Sequence, residues 1–273
     1  MALLNALNHA PPVADPGGWT VYIQTHFLGG RRHFRNWEVA DIGLLVIFRD
    51  RGKVLRIKVG LLQSKRLYPI EQKQLPDLRE KFEIGFGTLL HVPEAYQVLA
   101  GGRNFNFTKN SQYAALSKNS EQEKSLLEYS QSSGIPVYYL LYNPAEIPWS
   151  ATVPATKLGA YPEPKVGCRV VPAPVLSQKL TSVSNVHPSF GDLTQLGKPF
   201  VGEHKAGWRL EHFVADLLLP CKEGYVVTGE TDQVLERLFY RRSGPIAAAV
   251  ALTIEAPDGV EFELPELPAP AGE

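Results

Sequence analysis

Asp41, Gln63 and Lys65 are the residues of this 273-residue chain whose types and spacing can do chemistry together. A carboxylate supplies a hard anionic oxygen to Mg²⁺ or Mn²⁺, and an amide carbonyl supplies a neutral one. A lysine two residues beyond the amide can position a water or offset charge building on a phosphate. Glu38, three residues before Asp41, adds a second carboxylate as an auxiliary ligand. That set of groups suits metal-assisted attack on a phosphodiester.

The elements that would position them are two strands. Residues 39–48 and 54–62 are rich in β-branched and large apolar side chains, and Asp50-Arg51-Gly52-Lys53 lies between them as a turn. This is the pattern of a β-hairpin. If it folds about Gly52, residues whose numbers sum to 104 face one another, and Asp41 lies opposite Gln63. Facing residues share a side of the sheet, and that side recurs every second residue. Asp41, Gly43, Leu45 and Ile47 then share a face with Ile57, Val59, Leu61, Gln63 and Lys65. The face is apolar until its polar end, where the three reactive side chains converge. A slip of one residue would place Arg56 and Lys58 on the apolar face, which argues for the first register. The competing reading is a buried hairpin whose polar end is simply solvated. Convergence on one face favours a site.

An Asp, a hairpin and then Gln-x-Lys resembles the PD-(D/E)xK, or restriction-endonuclease-like, nuclease superfamily, in the variant with Gln in place of Glu. The matching residues are Asp41, Gln63 and Lys65, with Glu38 as the additional acid. The resemblance covers about residues 20–145. It implies a mixed central sheet flanked by helices and a Mg²⁺- or Mn²⁺-dependent nuclease, with DNA as the expected substrate. It also implies contexts such as phage defence or mobile elements. Asp41, Gln63 and Glu38 would hold the metal and Lys65 would assist catalysis.

Formal net charge is zero, so no global charge marks a nucleic-acid partner. The distribution is uneven, with 13 Lys and Arg against 8 Asp and Glu in residues 1–90, a net of +5. The cluster Arg31, Arg32 and Arg35, together with Arg66, supplies candidate phosphate contacts. Cys168 and Cys221 are too few for a disulfide framework or a cysteine zinc site. The N-terminus lacks the pattern of a signal peptide, and no run approaches the ~18 apolar residues of a membrane span. A cytoplasmic protein is therefore expected. It would have a nucleic-acid partner and no membrane partner, with room for a protein partner or a second copy of itself.

Along the chain, residues 1–18 read as a loose arm and 19–37 fit a helix or a strand. Residues 69–86 look irregular, 93–99 suit a short helix, and 105–108 a short strand. Asn119 or Ser120 caps a helix over 121–130 with Leu126, Leu127 and Tyr129 inward, and Gly134 ends it. Residues 135–142 form a strong strand, with Tyr138, Tyr139 and Tyr142 as packing residues. The proline-rich span 143–165 reads as a linker or long loop. Residues 168–176 read as an edge strand broken by Pro172 and Pro174. Residues 208–219 form the clearest helix, its apolar stripe expected to pack on a buried strand at 245–254. A second helix is expected at 231–240, and 257–273 reads as a disordered tail. The chain thus divides into a nuclease-like α/β core, 1–150, and a C-terminal α+β extension, 151–273, or forms one continuous domain.

Other chemistries lack their motifs. No H-E-x-x-H, G-x-S-x-G or phosphate-binding glycine loop occurs. His204 and His212 read as packing or surface histidines. Arg241 and Arg242 before Gly244 read as a helix C-terminus. The remaining rival is a non-catalytic nucleic-acid-binding or assembly protein that keeps the nuclease-like fold. Gln63, which lacks the usual charge, speaks for it.

Overall fold

The computed structural model describes residues 13–14, 17–27, 39–72, 103–153, 166–227, 238, 246–260 and 264. The fold is α/β, built on a mixed sheet. Its strands are β1 (Val13–Ala14), β2 (Thr20–Phe27), β3 (Ala40–Asp50), β4 (Lys53–Arg66), β7 (Val137–Pro144), β9 (Val166–Pro172), β10 (Trp208–Arg209), β11 (Tyr225–Val227) and β12 (Ile246–Glu255). They run in the order β1-β2-β12-β3-β4-β7-β9-β10, and β11 pairs with the turn-proximal part of β4. A second, three-stranded sheet joins β5 (Ile70–Gln72), β6 (Arg103–Phe107) and β8 (Trp149–Val153). Strands from both spans, 1–150 and 151–273, share the large sheet.

The hairpin forms where the sequence places it. Arg51 and Gly52 both have positive φ, 47° and 75°, the conformation whose twist matches paired strands. From Ile42↔Leu62 to Phe48↔Arg56 the pairing follows the expected register. It shifts by one residue between Phe48 and Arg49, at the turn end and away from the reactive residues.

The hairpin is buried on both faces, not on one. β12 runs parallel to β3 on one side and β7 parallel to β4 on the other, so the central pair lies inside the sheet. Val59, Leu61, Tyr139, Leu141 and Val171 meet Leu126 of α1 (Glu121–Ser133) and Leu176 and Leu180 of α2 (Ala173–Thr181). On the opposite face Leu44, Val46, Leu62, Tyr138 and Leu140 meet Phe213 and Leu218 of α3, a turn at Leu210–His212 that widens into a π-helical segment at Phe213–Leu218. Fully burying one such side chain is worth about 1.5–3 kcal/mol.

Local chemistry fixes α1. The Ser120 hydroxyl accepts from Glu123 N, and the Glu123 carboxylate accepts from Asn119 N at 2.7 Å. This is a capping box displaced by one residue on its return arm. Gly134 ends the helix in the left-handed region.

Several expectations are corrected. Val13–Ala14 of the supposed loose arm pairs with β2, and residues 20–27 are strand. Ile70–Gln72, read as irregular, is β5, and Trp149–Val153 of the supposed linker is β8. The latter five residues carry no proline and can complete backbone pairs with β6. Pro172 and Pro174 do not break a strand; they stand at the cap and first turn of α2, where a missing N–H costs nothing. Residues 208–209 are not helical, because they pair with β9 and satisfy its outer backbone groups. The stripe that follows packs chiefly over the sheet centre. Phe213 meets the Tyr138 ring at 4.8 Å, while Val250, Leu252 and Ile254 of β12 flank the same cluster. Leu264, within the tail read as disordered, packs against that cluster. The expected helices at 93–99 and, apart from Leu238, 231–240 lie outside the described residues, as do Arg241 and Arg242.

Candidate active site

Asp41 stands at the start of β3, and Gln63 and Lys65 near the end of β4. Gln63 Nε2 donates to Asp41 Oδ2 at 2.8 Å, and the Ser64 backbone N–H donates to the same oxygen at 2.7 Å. Both bonds fall on Oδ2, which leaves Oδ1 facing no donor in this pair. The amide orientation has a consequence for Gln63. Its Oε1 is buried with no hydrogen-bond partner in a side chain only 3% exposed. A buried carbonyl oxygen without a donor costs about 1–3 kcal/mol, and a bound cation would remove that cost.

Lys65 is also buried, at 6% exposure, and so belongs to the interior of the sheet end. Its Nζ donates to Oε1 of Gln122, in the first turn of α1, at 2.5 Å. Burial pushes the Lys65 ammonium below the ordinary lysine range, and the Asp41 carboxylate opposes that push. The group is thus held charged by one neighbour and made readier to release a proton by its surroundings.

The structure brings Asp41, Gln63 and Lys65 together as the register required. Arg66 projects to the other face, is exposed, and lies 4.6 Å over the Tyr68 ring. Glu38, Arg31, Arg32 and Arg35 lie outside the described residues. Among the described residues no group of three or more His, Cys, Asp and Glu is placed to hold a metal.

Sequence reasoning missed two members. Gln122 is a polar residue in a helical first turn, and nothing local says that it faces a strand 57 positions away. The Ser64 N–H is a backbone group with no side-chain signature. On the other face Tyr142, expected as a packing residue, hydrogen-bonds the Ser64 side chain; burial first, then Cys168, raise its pKa. Its position follows only from the β4–β7 register, Arg66↔Tyr142.

The two histidines stack, with ring centroids 4.2 Å apart, and His212 Nδ1 lies 2.8 Å from Asp216. They form a packing pair remote in sequence from the site. No helix among the described residues is long and apolar enough to cross a membrane. The chain matches no protein-family model, no curated protein and no solved structure.

Proposed function

We propose that the protein is a metal-dependent nucleic-acid phosphodiesterase, with DNA as its substrate and Asp41, Gln63 and Lys65 as its working residues. One observation carries the reading. A carboxylate and a buried, unpartnered amide oxygen share one hydrogen-bonded pair, with a buried lysine two residues on. The order hairpin, α1, then β7 parallel to β4 is also the order that a restriction-endonuclease-like core implies.

Asp41 and Gln63 fit a hard cation because both present oxygen, and Glu38 is the auxiliary acid. Mg²⁺ or Mn²⁺ bound there would polarise the scissile phosphate and lower the pKa of a water. The Ser64 N–H and the Gln63 amide hold the Asp41 carboxylate in place. Gln122 holds Lys65 in place until substrate arrives. Lys65 then donates to the attacking water or to a phosphate oxygen, which offsets charge in the transition state. Sheet and helix exclude bulk water from its Nζ, which strengthens that interaction.

A second reading has its own observation. The hydrogen-bonded pair offers one carboxylate, Asp41, and Gln63 adds no charge. A protein that binds nucleic acid or assembles with partners without cutting would tolerate that. Incubation with duplex DNA, single-stranded DNA and RNA, with Mg²⁺, Mn²⁺ or a chelator, separates the two. Metal-dependent cleavage is expected; binding without cleavage in every metal favours the second reading.

A further inference from the structure

The register of the sheet carries a row of cations away from the candidate site. Lys65 on β4 pairs with Leu141 on β7, Leu141 with Arg169 on β9, and Arg169 with Arg209 on β10. Cross-strand partners project to one face, so Lys65, Arg169 and Arg209 share the face on which Asp41 and Gln63 meet. With strands ~4.8 Å apart, Arg169 lies roughly 10 Å and Arg209 roughly 14 Å along the row from Lys65.

Two like charges directly opposite on neighbouring strands destabilise a sheet. Here the pair is retained, with Arg169 half-buried and Arg209 exposed. The Arg169 guanidinium donates to the Gly207 carbonyl at 3.4 Å. Gly207 admits no larger residue, since a Cβ there would lie 2.8 Å from Val171 Cγ2 in a backbone with φ of 103°. Burial first, then the neighbouring Arg209, pushes the Arg169 guanidinium below its ordinary range, and Glu211, Tyr113 and Glu203 oppose that push. Both line a cleft of about 360 Å³, together with Asn143, Cys168 and two exposed carboxylates, Glu146 and Glu211.

We infer that this cleft seats a backbone phosphate of the same nucleic-acid strand that is cut at Asp41, Gln63 and Lys65, with Arg209 and Arg169 as its donors. The inference rests on the phosphodiesterase reading for the identity of the anion. A separation of roughly 10–14 Å lies within reach of one backbone, whose phosphates recur every ~3.4 Å of duplex axis on each strand. Arginine offers a planar fork suited to two phosphate oxygens. Glu211 and Glu203 act electrostatically on Arg169 in the free protein and weaken the seat, which gives the proposal a test of opposite sign.

The test is fluorescence anisotropy of a short labelled DNA, single-stranded and duplex, with the full chain in chelator across a salt series. Arg209→Gln should weaken binding about tenfold and reduce the salt slope by about one. Arg209→Lys should restore most of the affinity, and Glu211→Gln should tighten binding several-fold. Arg209 is exposed, so these changes leave the core untouched. Unchanged affinity and slope in Arg209→Gln, equal losses in Arg209→Lys and Arg209→Gln, or a parent without DNA affinity would each overturn the inference. Cleavage is read in parallel. A parent that binds DNA through Arg209 but never cleaves keeps the seat and loses the phosphodiesterase reading. A parent that cleaves through Lys65 yet is indifferent to Arg209 does the reverse.

Discussion

β4 buries two lysines on opposite faces, and their surroundings differ. Lys58 is 0% exposed, lies on the face covered by Phe213 and Leu218, and its Nζ has no hydrogen-bond partner. Gly224 passes beside it, with Lys58 Cε 3.5 Å from where a Cβ would sit. Lys65 is 6% exposed at the sheet end, with Gln122 as acceptor and Asp41 close by. Burial lowers the pKa of both. Cys221 and Glu223 oppose that shift at Lys58, and Asp41 opposes it at Lys65. A buried lysine alone therefore does not mark a site. What distinguishes Lys65 is an acceptor that holds it and a carboxylate–amide pair with an idle oxygen two residues away.

The largest effect expected from this contrast is on cleavage. Lys65→Met should lower the rate of Mg²⁺-dependent DNA cleavage about 100- to 1000-fold, the loss typical of removing one transition-state donor. Lys58→Met should leave that rate within about twofold, because Lys58 faces the other side of the sheet. Equal losses in a gel-based cleavage assay would erase the distinction between the two lysines.

The next effect is on stability. Lys58→Met should stabilise the fold by ~1–3 kcal/mol near neutral pH in urea unfolding, since a buried ammonium without a hydrogen bond is replaced by an apolar chain of similar length. The sign of its pH dependence follows from the lowered pKa. The unfolded chain binds the proton more tightly, so the parent gains stability as pH rises from the folded pKa toward lysine's ordinary 10.5. The advantage of the methionine variant should be full below that window and shrink through it. A constant advantage at all pH values would mean that packing, not charge, is the cause.

A smaller change is expected at the amide. Gln63→Glu should retain cleavage and tighten Mn²⁺ binding several-fold in calorimetric titration, because a carboxylate binds a hard cation better than an amide carbonyl. Weaker Mn²⁺ binding would exclude Gln63 as a ligand. Smallest is the effect of Gln122→Ala, a few-fold loss of rate with unchanged metal affinity, since Gln122 acts only by holding Lys65. If Gln122→Ala changes metal affinity and leaves the rate alone, that assignment fails.

The legible parts of the molecule were those set by neighbours in sequence. The turn Asp50–Lys53 and the alternation around it specify the hairpin, and the hairpin alone brings Asp41 to Gln63. Ser120, Glu123 and Gly134 announce α1 in the same way. The register was right for a partly mistaken reason. The expected register keeps Lys58 off the apolar face, yet Lys58 is itself buried because β12, β7 and α3 enclose the hairpin. Those partners arrive from up to about two hundred residues away, and period-2 alternation carries no record of them. The same limit hid Gln122 and the Lys65–Arg169–Arg209 row, which exist only once β4, β7, β9 and β10 are aligned.

The most direct measurement is a Mg²⁺ titration of DNA cleavage by the parent and by Asp41→Ala, with folding of both checked by circular dichroism. Cleavage by the parent should saturate with Mg²⁺ and disappear in chelator. Asp41→Ala, equally folded, should stay at background over the same range. Cleavage by Asp41→Ala at the parent's rate and with the parent's Mg²⁺ dependence would remove Asp41 from the site.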